Sequence, residues 1–389
     1  VTLTPIEGTV AAGFEPLADV FADTMARSHG RGAGLHIRVD GRPVVDLWSG
    51  WARSGEQWVA DTPSVVFSCT KGLVSILIGE LVRDGVLDLD ERVSTYWPEF
   101  TGHGKEDLSV RQLLAHRAGL PLIRQPLTTD DILDWDTMVD LLAREKPFFT
   151  PGSAHVYHPM TFGWLAGEIV RRVSGRSVGE FFAERVATPL AADAWIGVPD
   201  AELPRVAELT SSGPSAPTPA PVELSPVDAD DLAGYGDQPM TMGNAISSST
   251  ELSFNETRIQ QGQLPGAGGV ASARALATIW SATVSDAESV RLLDEEIIHD
   301  MRAEQSAGKP VLDQPEPWHR WGSGFMLNSE ARPFLSDASF GHDGLGGQVA
   351  FADETYKVGF GYVTNDLQSA PDARGRDLVS ALRRILDES

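Results

Sequence analysis

The stretch Phe67-Ser68-Cys69-Thr70-Lys71-Gly72, with the apolar run behind it, constrains this chain more than any other feature. Leu73, Val74, Ile76, Leu77, Ile78, Leu81 and Val82 follow, with hardly a charge before Arg83, Asp84 and Gly85. A helix that is apolar on nearly every face has no solvent side, which predicts a buried helix at the centre of its domain. Ser68 then falls at or beside the helix N-terminus, with Lys71 one turn on and on the same face. A hydroxyl, an amine and unpaired backbone N–H groups would share one small volume. Serine is a poor nucleophile until a base takes its proton. Lysine is that base only when partly neutral, and burial plus the positive end of a helix both disfavour its ammonium form. The helix start also supplies N–H groups for a developing oxyanion. This is a site for acyl transfer. Ser-x-x-Lys by itself fits equally a serine capping a core helix with an exposed lysine. The pattern recurs at Ser306-Ala-Gly-Lys309, between Gln305 and Pro310 with no apolar helix after it, and reads there as a surface loop.

At 389 residues the chain has the length of two domains or one large mixed one. A hydrophobic content of 42% and 10 tryptophans supply a substantial core. The 31 basic and 55 acidic residues give a net charge of −24, which argues against nucleic acid or an anionic membrane as a partner. Only five of the basic residues are lysines, so one inside an apolar run stands out. Cys69 is the sole cysteine, which excludes an internal disulfide and fits a reducing compartment. No apolar stretch reaches transmembrane length, and the start Val1-Thr-Leu-Thr-Pro lacks the regions of a signal peptide. A soluble, cytoplasmic protein is expected.

Residues 1–30 read as an amphipathic helix with Phe14, Leu17, Val20, Phe21 and Met25 on one face. Residues 34–50 alternate on either side of Asp40-Gly41 and predict a β-hairpin. The Gly30-x-Gly32-x-Gly34 run ahead of it lacks the strand and lysine of a phosphate loop and reads as a flexible linker. Helices are predicted over 108–118, capped by Ser109 and stopped by Gly119, then over 131–145, 161–173, 179–186, 272–284 and 285–304. The Pro-rich passage within 210–240 reads as an extended surface segment. Residues 321–327, 347–352 and 358–365 are strand-like, and an amphipathic helix closes the chain at 374–386. Strands at both ends with helices between predict an α+β fold: one antiparallel sheet built from both termini, flanked by helices, with an inserted, mostly helical subdomain. The expected arrangement is a single domain over 1–389, with an α/β part at about 1–66 and 266–389 and a helical part at about 67–265.

Four motifs occur in order: Ser68-Cys-Thr-Lys71, Ser109-Val-Arg-Gln-Leu-Leu-Ala-His-Arg-Ala-Gly-Leu-Pro121, Pro151-Gly-Ser-Ala-His-Val-Tyr157 and Phe340-Gly-His-Asp-Gly-Leu-Gly-Gly347. In these the chain resembles the serine β-lactamase and penicillin-binding-protein superfamily, and within it the family VIII carboxylesterases, from about residue 15 to 385. The resemblance implies a β-lactamase/transpeptidase-like fold without cofactor or metal. It makes Ser68 the acylated nucleophile, Lys71 its base, and Tyr157 the tyrosine that serves Ser68 and later the leaving group. Tyr157 would need a phenol pKa lowered by an adjacent cation, and Lys71 would supply that charge. The Leu345 N–H, just after His342-Asp343-Gly344, is the candidate second oxyanion donor beside the Ser68 N–H.

Two departures from the family pattern bear on substrate. His342-Asp343-Gly344 stands where the family has Lys-Thr-Gly, and Tyr157-His158-Pro159 lacks the family's asparagine. Both favour an uncharged small-molecule ester over a β-lactam or peptide. His342 remains able to hydrogen-bond Tyr157 and tune it. A β-lactamase or D-amino-acid peptidase on the same scaffold is the alternative function, and a non-catalytic binding homologue a further one. His155 and His158 flank Tyr157 without a zinc-binding pattern, and His116 reads as a buried structural residue. Cys69, about 100° round the helix from Ser68, reads as core filler. Gly175-Arg-Ser177-Val-Gly179 matches a nucleophile elbow, but a helix rather than a strand precedes it, so Ser177 reads as a turn residue. Trp321, Phe149 and Phe162 are candidate pocket liners.

Overall fold

A computed structural model of the chain describes residues 4–211, 232–236, 238–242, 245–246, 253–312, 314–368 and 372–388. Most of the Pro-rich passage, at 212–231, lies outside the described residues. The main sheet has eight strands: β1 (Glu7–Val10), β2 (Ala33–Val39), β3 (Arg42–Ser49), β4 (Arg320–Trp321), β5 (Met326–Leu327), β6 (Ser339–Asp343), β7 (Val349–Asp353) and β8 (Val358–Thr364). Their order is β1-β3-β2-β8-β7-β6-β5-β4, and every pair is antiparallel. Both ends of the chain build it, β2 pairing directly with β8. The α+β expectation holds, with helices on both faces and a long helical insertion between β3 and β4.

The sheet's two faces follow from the period-2 alternation of its strands. In β8, Phe360 and Tyr362 point to one face, where Leu17, Phe21 and Met25 of α1 (Pro16–Arg27) and Leu378 and Leu382 of α5 (Arg374–Asp387) cover them. Gly359 and Gly361 point to the other, against α4 (Ala273–Val284). A Cβ on Gly359 would sit 2.3 Å from the Ala277 carbonyl oxygen, and one on Gly361 2.5 Å from that of Ala273. The α4 backbone therefore lies directly on the strand. The β2–β3 turn is tight because Asp40 (φ 48°) and Gly41 (φ 74°) are both left-handed, as two-residue hairpins with native twist require.

Helix α2 (Cys69–Arg83) is buried from Cys69 through Leu81. It packs between β6 on one side and α3 (Thr161–Ser174) on the other. Its entry is fixed by a three-stranded ribbon in which Gly269–Ala271 pairs with both Ser64–Val65 and Ala194–Ile196.

Several expected elements differ. Within 1–30, Glu7–Val10 form strand β1, and the helix α1 starts only at Pro16. The Gly30–Gly34 run is not a flexible linker: the Gly32 N–H donates to Asn365 Oδ1, a Cβ there would collide with the Trp58 ring, and Gly34 lies in β2. The helix begun by the Ser109–Gln112 capping box ends at Leu114, because His116 turns left-handed (φ 62°) well before Gly119. Residues 131–145 form two helices broken at Asp134, whose side chain accepts from Thr137 N and starts the second. Of 285–304, only Glu295–Met301 is helical, since Ser285 is extended and Leu292 N–H returns to the Ala282 carbonyl.

Candidate active site

The site forms where the chain turns into α2. Phe67, just before the helix, is left-handed (φ 46°) although it carries a side chain, a conformation that costs on the order of 1 kcal/mol or more. Surrounding contacts hold it. Its ring meets Phe254 edge-on at 5.1 Å, and its carbonyl accepts from Thr70 N–H (2.9 Å) and the Thr70 hydroxyl (2.5 Å). Thr70 Oγ1 in turn accepts from Gly269 N–H at 2.9 Å, tying the turn to the ribbon. Ser68 stands at the N-cap position, yet its hydroxyl makes no capping bond. It faces Lys71 and Tyr157 instead.

Lys71 is fully buried. Its Nζ donates to Ser68 Oγ at 3.0 Å and to the Gly266 carbonyl at 2.6 Å. Burial lowers the amine pKa from 10.5 to about 7, although the Asp343 carboxylate works the other way. The Tyr157 hydroxyl donates to Ser68 Oγ at 2.8 Å, and the Lys71 Nζ lies 5.0 Å from the centre of its ring. Burial pushes the Tyr157 phenol up, the opposite of the direction expected from its neighbouring cation. With the amine itself half-neutral, Lys71 gives the phenol little positive charge to lean on. Tyr157 thus keeps its proton near neutral pH.

Tyr157 comes from a loop held in place by histidines. His116 accepts from the His158 N–H at Nδ1 (3.3 Å), and its carbonyl accepts from Val156 N–H (3.1 Å). His158 Nδ1–H donates to the Val156 carbonyl (2.6 Å), leaving Nε2 to accept from Leu120 N–H (3.0 Å). Burial lowers the pKa of both rings, His158 to about 4, so both are neutral framing groups. Trp321 stacks on the Tyr157 ring at 5.3 Å with 15° between planes.

His342, on β6, does not bond to Tyr157. Its Nδ1 pairs with the Asp343 carbonyl at 2.6 Å, its ring centre is 6.1 Å from that of Tyr157, and Nε2 has no partner among the described residues. Burial first, then the charge of Lys71, lowers its pKa to about 3. Gly344 is required by a close approach: a Cβ there would lie 2.4 Å from the Val66 carbonyl oxygen. Its N–H is spent on Gln348 O. Among the described residues, the N–H groups of Ser68 and Leu345 have no acceptor within the chain. Leu345 is 40% exposed at the rim of a cleft of about 450 Å³, which Ser68, Tyr157, Trp321, Met326 and Arg332 also line.

Other flagged residues fall elsewhere. Phe162 is buried in the core and Phe149 packs against a small separate cluster of Leu122, Val156, Leu232 and Tyr235, so neither lines the cleft. Cys69 is buried with its thiol directed to the His342 carbonyl. Ser177 begins the short helix Val178–Phe182 through a capping box with Glu180, after the left-handed Gly175 that ends α3. Ser306 lies in a loop as expected but is buried, donating to the Ala115 carbonyl at 2.8 Å, while Lys309 is exposed. The group with no sequence signature is the Gly266 carbonyl. The one hint is the glycine-rich Pro265–Gly269 run, whose glycines have no room for a side chain: a Cβ on Gly266 would lie 2.5 Å from the Met160 carbonyl oxygen.

The Beta-lactamase family profile matches residues 17–384. The chain belongs to the beta-lactamase family. It is 33% identical over 369 residues to "Esterase/beta-lactamase LipL" of Mycobacterium tuberculosis (strain ATCC 25618 / H37Rv), covering 93% of this chain and 83% of that protein. The crystal structure of a family VIII carboxylesterase superposes with a TM-score of 0.86 at 33% identity, over 98% of this chain and all (100%) of the other. A penicillin-binding protein homologue from Caulobacter crescentus gives 0.85 at 33% identity, with 98% and 100% covered. This beta-lactamase-family chain thus has the family VIII carboxylesterase-like fold over nearly its whole length, and it is an enzyme of the serine-hydrolase class.

Proposed function

We propose that this enzyme cleaves uncharged carboxylic esters through an acyl-enzyme on Ser68. The observation that carries this reading is that one hydroxyl, Ser68 Oγ, lies within hydrogen-bonding distance of both Lys71 Nζ (3.0 Å) and Tyr157 OH (2.8 Å), with the amine's pKa near neutrality at about 7. In its neutral form Lys71 keeps one N–H on the Gly266 carbonyl and turns its lone pair to Ser68. It accepts the serine proton as Oγ bonds to the ester carbonyl carbon. The carbonyl oxygen becomes an oxyanion facing the Ser68 and Leu345 N–H groups. As the C–O bond to the alcohol breaks, Tyr157 gives its proton to the departing oxygen and regains one from the Lys71 ammonium. Water then attacks the acyl carbon with the same set as base, releasing the acid and restoring Ser68.

The ester preference rests on His342. A buried ring with a pKa of about 3 carries no charge at neutral pH, so it offers a ligand carboxylate nothing comparable to a lysine at that place. Intact-mass analysis after brief exposure to a p-nitrophenyl ester, a fluorophosphonate and nitrocefin tests the whole reading. Wild type and Ser177→Ala should take up one phosphonyl adduct and turn over the ester, Ser68→Ala neither. Labelling of Ser68→Ala would overturn the nucleophile. Nitrocefin turnover matching that of the ester would replace the esterase reading with a β-lactamase.

A further inference from the structure

The loop that presents the Leu345 N–H is closed at its base by the Gly344 N–H bond to the Gln348 carbonyl (2.8 Å), but its tip has no such bond. It runs from Gly344 to Gln348 between β6 and β7, and Gly346 (φ 81°) and Gly347 (φ 86°) are both left-handed. Glycine is the residue freest to leave such a conformation, so something outside the loop must fix it. The packing supplies that from α5. A Cβ on Gly347 would sit 2.6 Å from Asp372 Oδ2, and one on Gly375 2.4 Å from the Gly347 carbonyl oxygen. The loop is pressed against the start of α5 with no space for a side chain on either partner.

Arg374 sits at that junction with its side chain 1% exposed. Its NH2 donates to the Gly346 carbonyl (3.1 Å), the Asp366 carbonyl (2.6 Å) and Asp372 Oδ2 (2.6 Å). Its NH1 donates to Ser28 Oγ (2.9 Å) and Asp366 Oδ2 (3.1 Å), and Nε to Asp372 Oδ1 (3.1 Å). One rigid guanidinium thus joins α1, the segment after β8, the start of α5 and the catalytic loop. Two buried carboxylates, Asp366 and Asp372, pair with it, one negative charge more than its own. An ionic group buried this deeply needs further hydrogen bonds to offset its desolvation, and here those bonds reach the loop backbone.

We propose that Arg374 is a positioning residue for the oxyanion site: by holding the Gly346 carbonyl, two peptide units beyond the Leu345 N–H, it anchors the short loop that carries that N–H. The proposal rests on the Ser68 reading above. Lysine keeps the charge but has no planar fork with which to span these acceptors, so Arg374→Lys should release the loop. Removing an oxyanion donor costs about 10²–10³ in kcat, and a displaced one should cost roughly tenfold or more. KM should stay within about twofold, because the donor acts on charge that develops in the transition state.

A double-variant cycle on the full chain tests this, with p-nitrophenyl ester kinetics and near-UV circular dichroism to confirm folding. Leu345→Pro deletes the N–H directly. If Arg374 works through that group, Arg374→Lys combined with Leu345→Pro should be no worse than Leu345→Pro alone within about threefold. Independent, multiplying losses, or unchanged kcat in folded Arg374→Lys, would overturn the proposal. Arg38→Gln, which removes a buried guanidinium from the β2–β3 hairpin, controls for general destabilisation and should leave kcat unchanged. Should Arg374→Lys fail to fold, Asp372→Asn takes its place in the same cycle with a smaller loss in the same direction. Ser68→Ala, run in parallel, separates the two ideas: full activity there removes the nucleophile, whereas an inactive Ser68→Ala with an unaffected folded Arg374→Lys removes only the positioning role.

Discussion

In the proposed mechanism Lys71 accepts the serine proton only as a free amine, and burial makes that form common near neutral pH. The ascending limb of kcat/KM against pH should therefore titrate at about 7, with activity falling as pH drops below it and levelling above. A limb centred near an ordinary lysine pKa would show that the amine is not desolvated as the structure places it. Tyr157 stands on the other side of the same proton transfer. Its raised pKa makes it an acid in the resting enzyme, and the proposed mechanism accordingly places its contribution in leaving-group departure. Tyr157→Phe should lose roughly 10²–10⁴ in kcat towards alkyl esters. Its labelling by a fluorophosphonate should fall far less, since fluoride leaves without a proton. Equal losses in both assays would place Tyr157 in the attack step instead. Ser68 and Lys71 are legible in the sequence because they are three residues apart on one helix. Tyr157 is 89 residues from Ser68, so only the ordered set of family-like motifs pointed to it. Gly266 acts through a carbonyl, which every residue has, and no side-chain pattern marks it.

Among the elements, α4 and β8 show how tightly the sheet and its covering helix are fitted. The alternation Gly359-Phe360-Gly361-Tyr362 gives one face rings and the other bare backbone. Gly361→Val would push a Cβ to 2.5 Å from the Ala273 carbonyl oxygen and force α4 off the strand. A loss of about 2–4 kcal/mol is expected, at the upper end of the range for over-packing or above it, because backbone rather than a side chain must yield. Urea denaturation reads it, and an unchanged midpoint would contradict the close approach. Elements with an unambiguous period were readable from sequence: α2 by its unbroken apolar run, α3 and α5 by one apolar face, the β2–β3 hairpin by alternation about Asp40-Gly41. Those that failed were decided at a distance. Residues 285–304 carry apolar residues at helical spacing, yet Leu292 is drawn back to the Ala282 carbonyl and only about two turns of helix survive, at Glu295–Met301. The Gly30–Gly34 run looks loose in sequence because nothing local shows Trp58 and Asn365 closing on Gly32.

For the molecule as a whole, α2 is the shared piece. Its apolar side chains belong to one continuous core that also includes Trp164 and Ile169 of α3, Leu276 and Trp280 of α4, and Phe340 of β6. We propose that the sheet-bearing and helical parts form one cooperative unit for this reason. The near-UV signal of the buried tryptophans and the far-UV helix signal should then be lost in a single coincident transition, and two separated midpoints would divide the chain into domains. Among the described residues no helix is long and apolar enough to cross a membrane. The sequence by itself determined the buried helix, the hydroxyl and amine at its tip, the mixed fold with a sheet shared by both ends, and an acidic charge of −24. These are properties of residue type and short-range period, and they survive in any chain with that pattern. The tertiary structure alone decided which carbonyl holds the lysine, which way burial moves each pKa, where His342 points, and that Arg374 braces the loop of Leu345. Each depends on groups tens to hundreds of residues apart meeting in a space without water, where a hydrogen bond or a charge has its full strength.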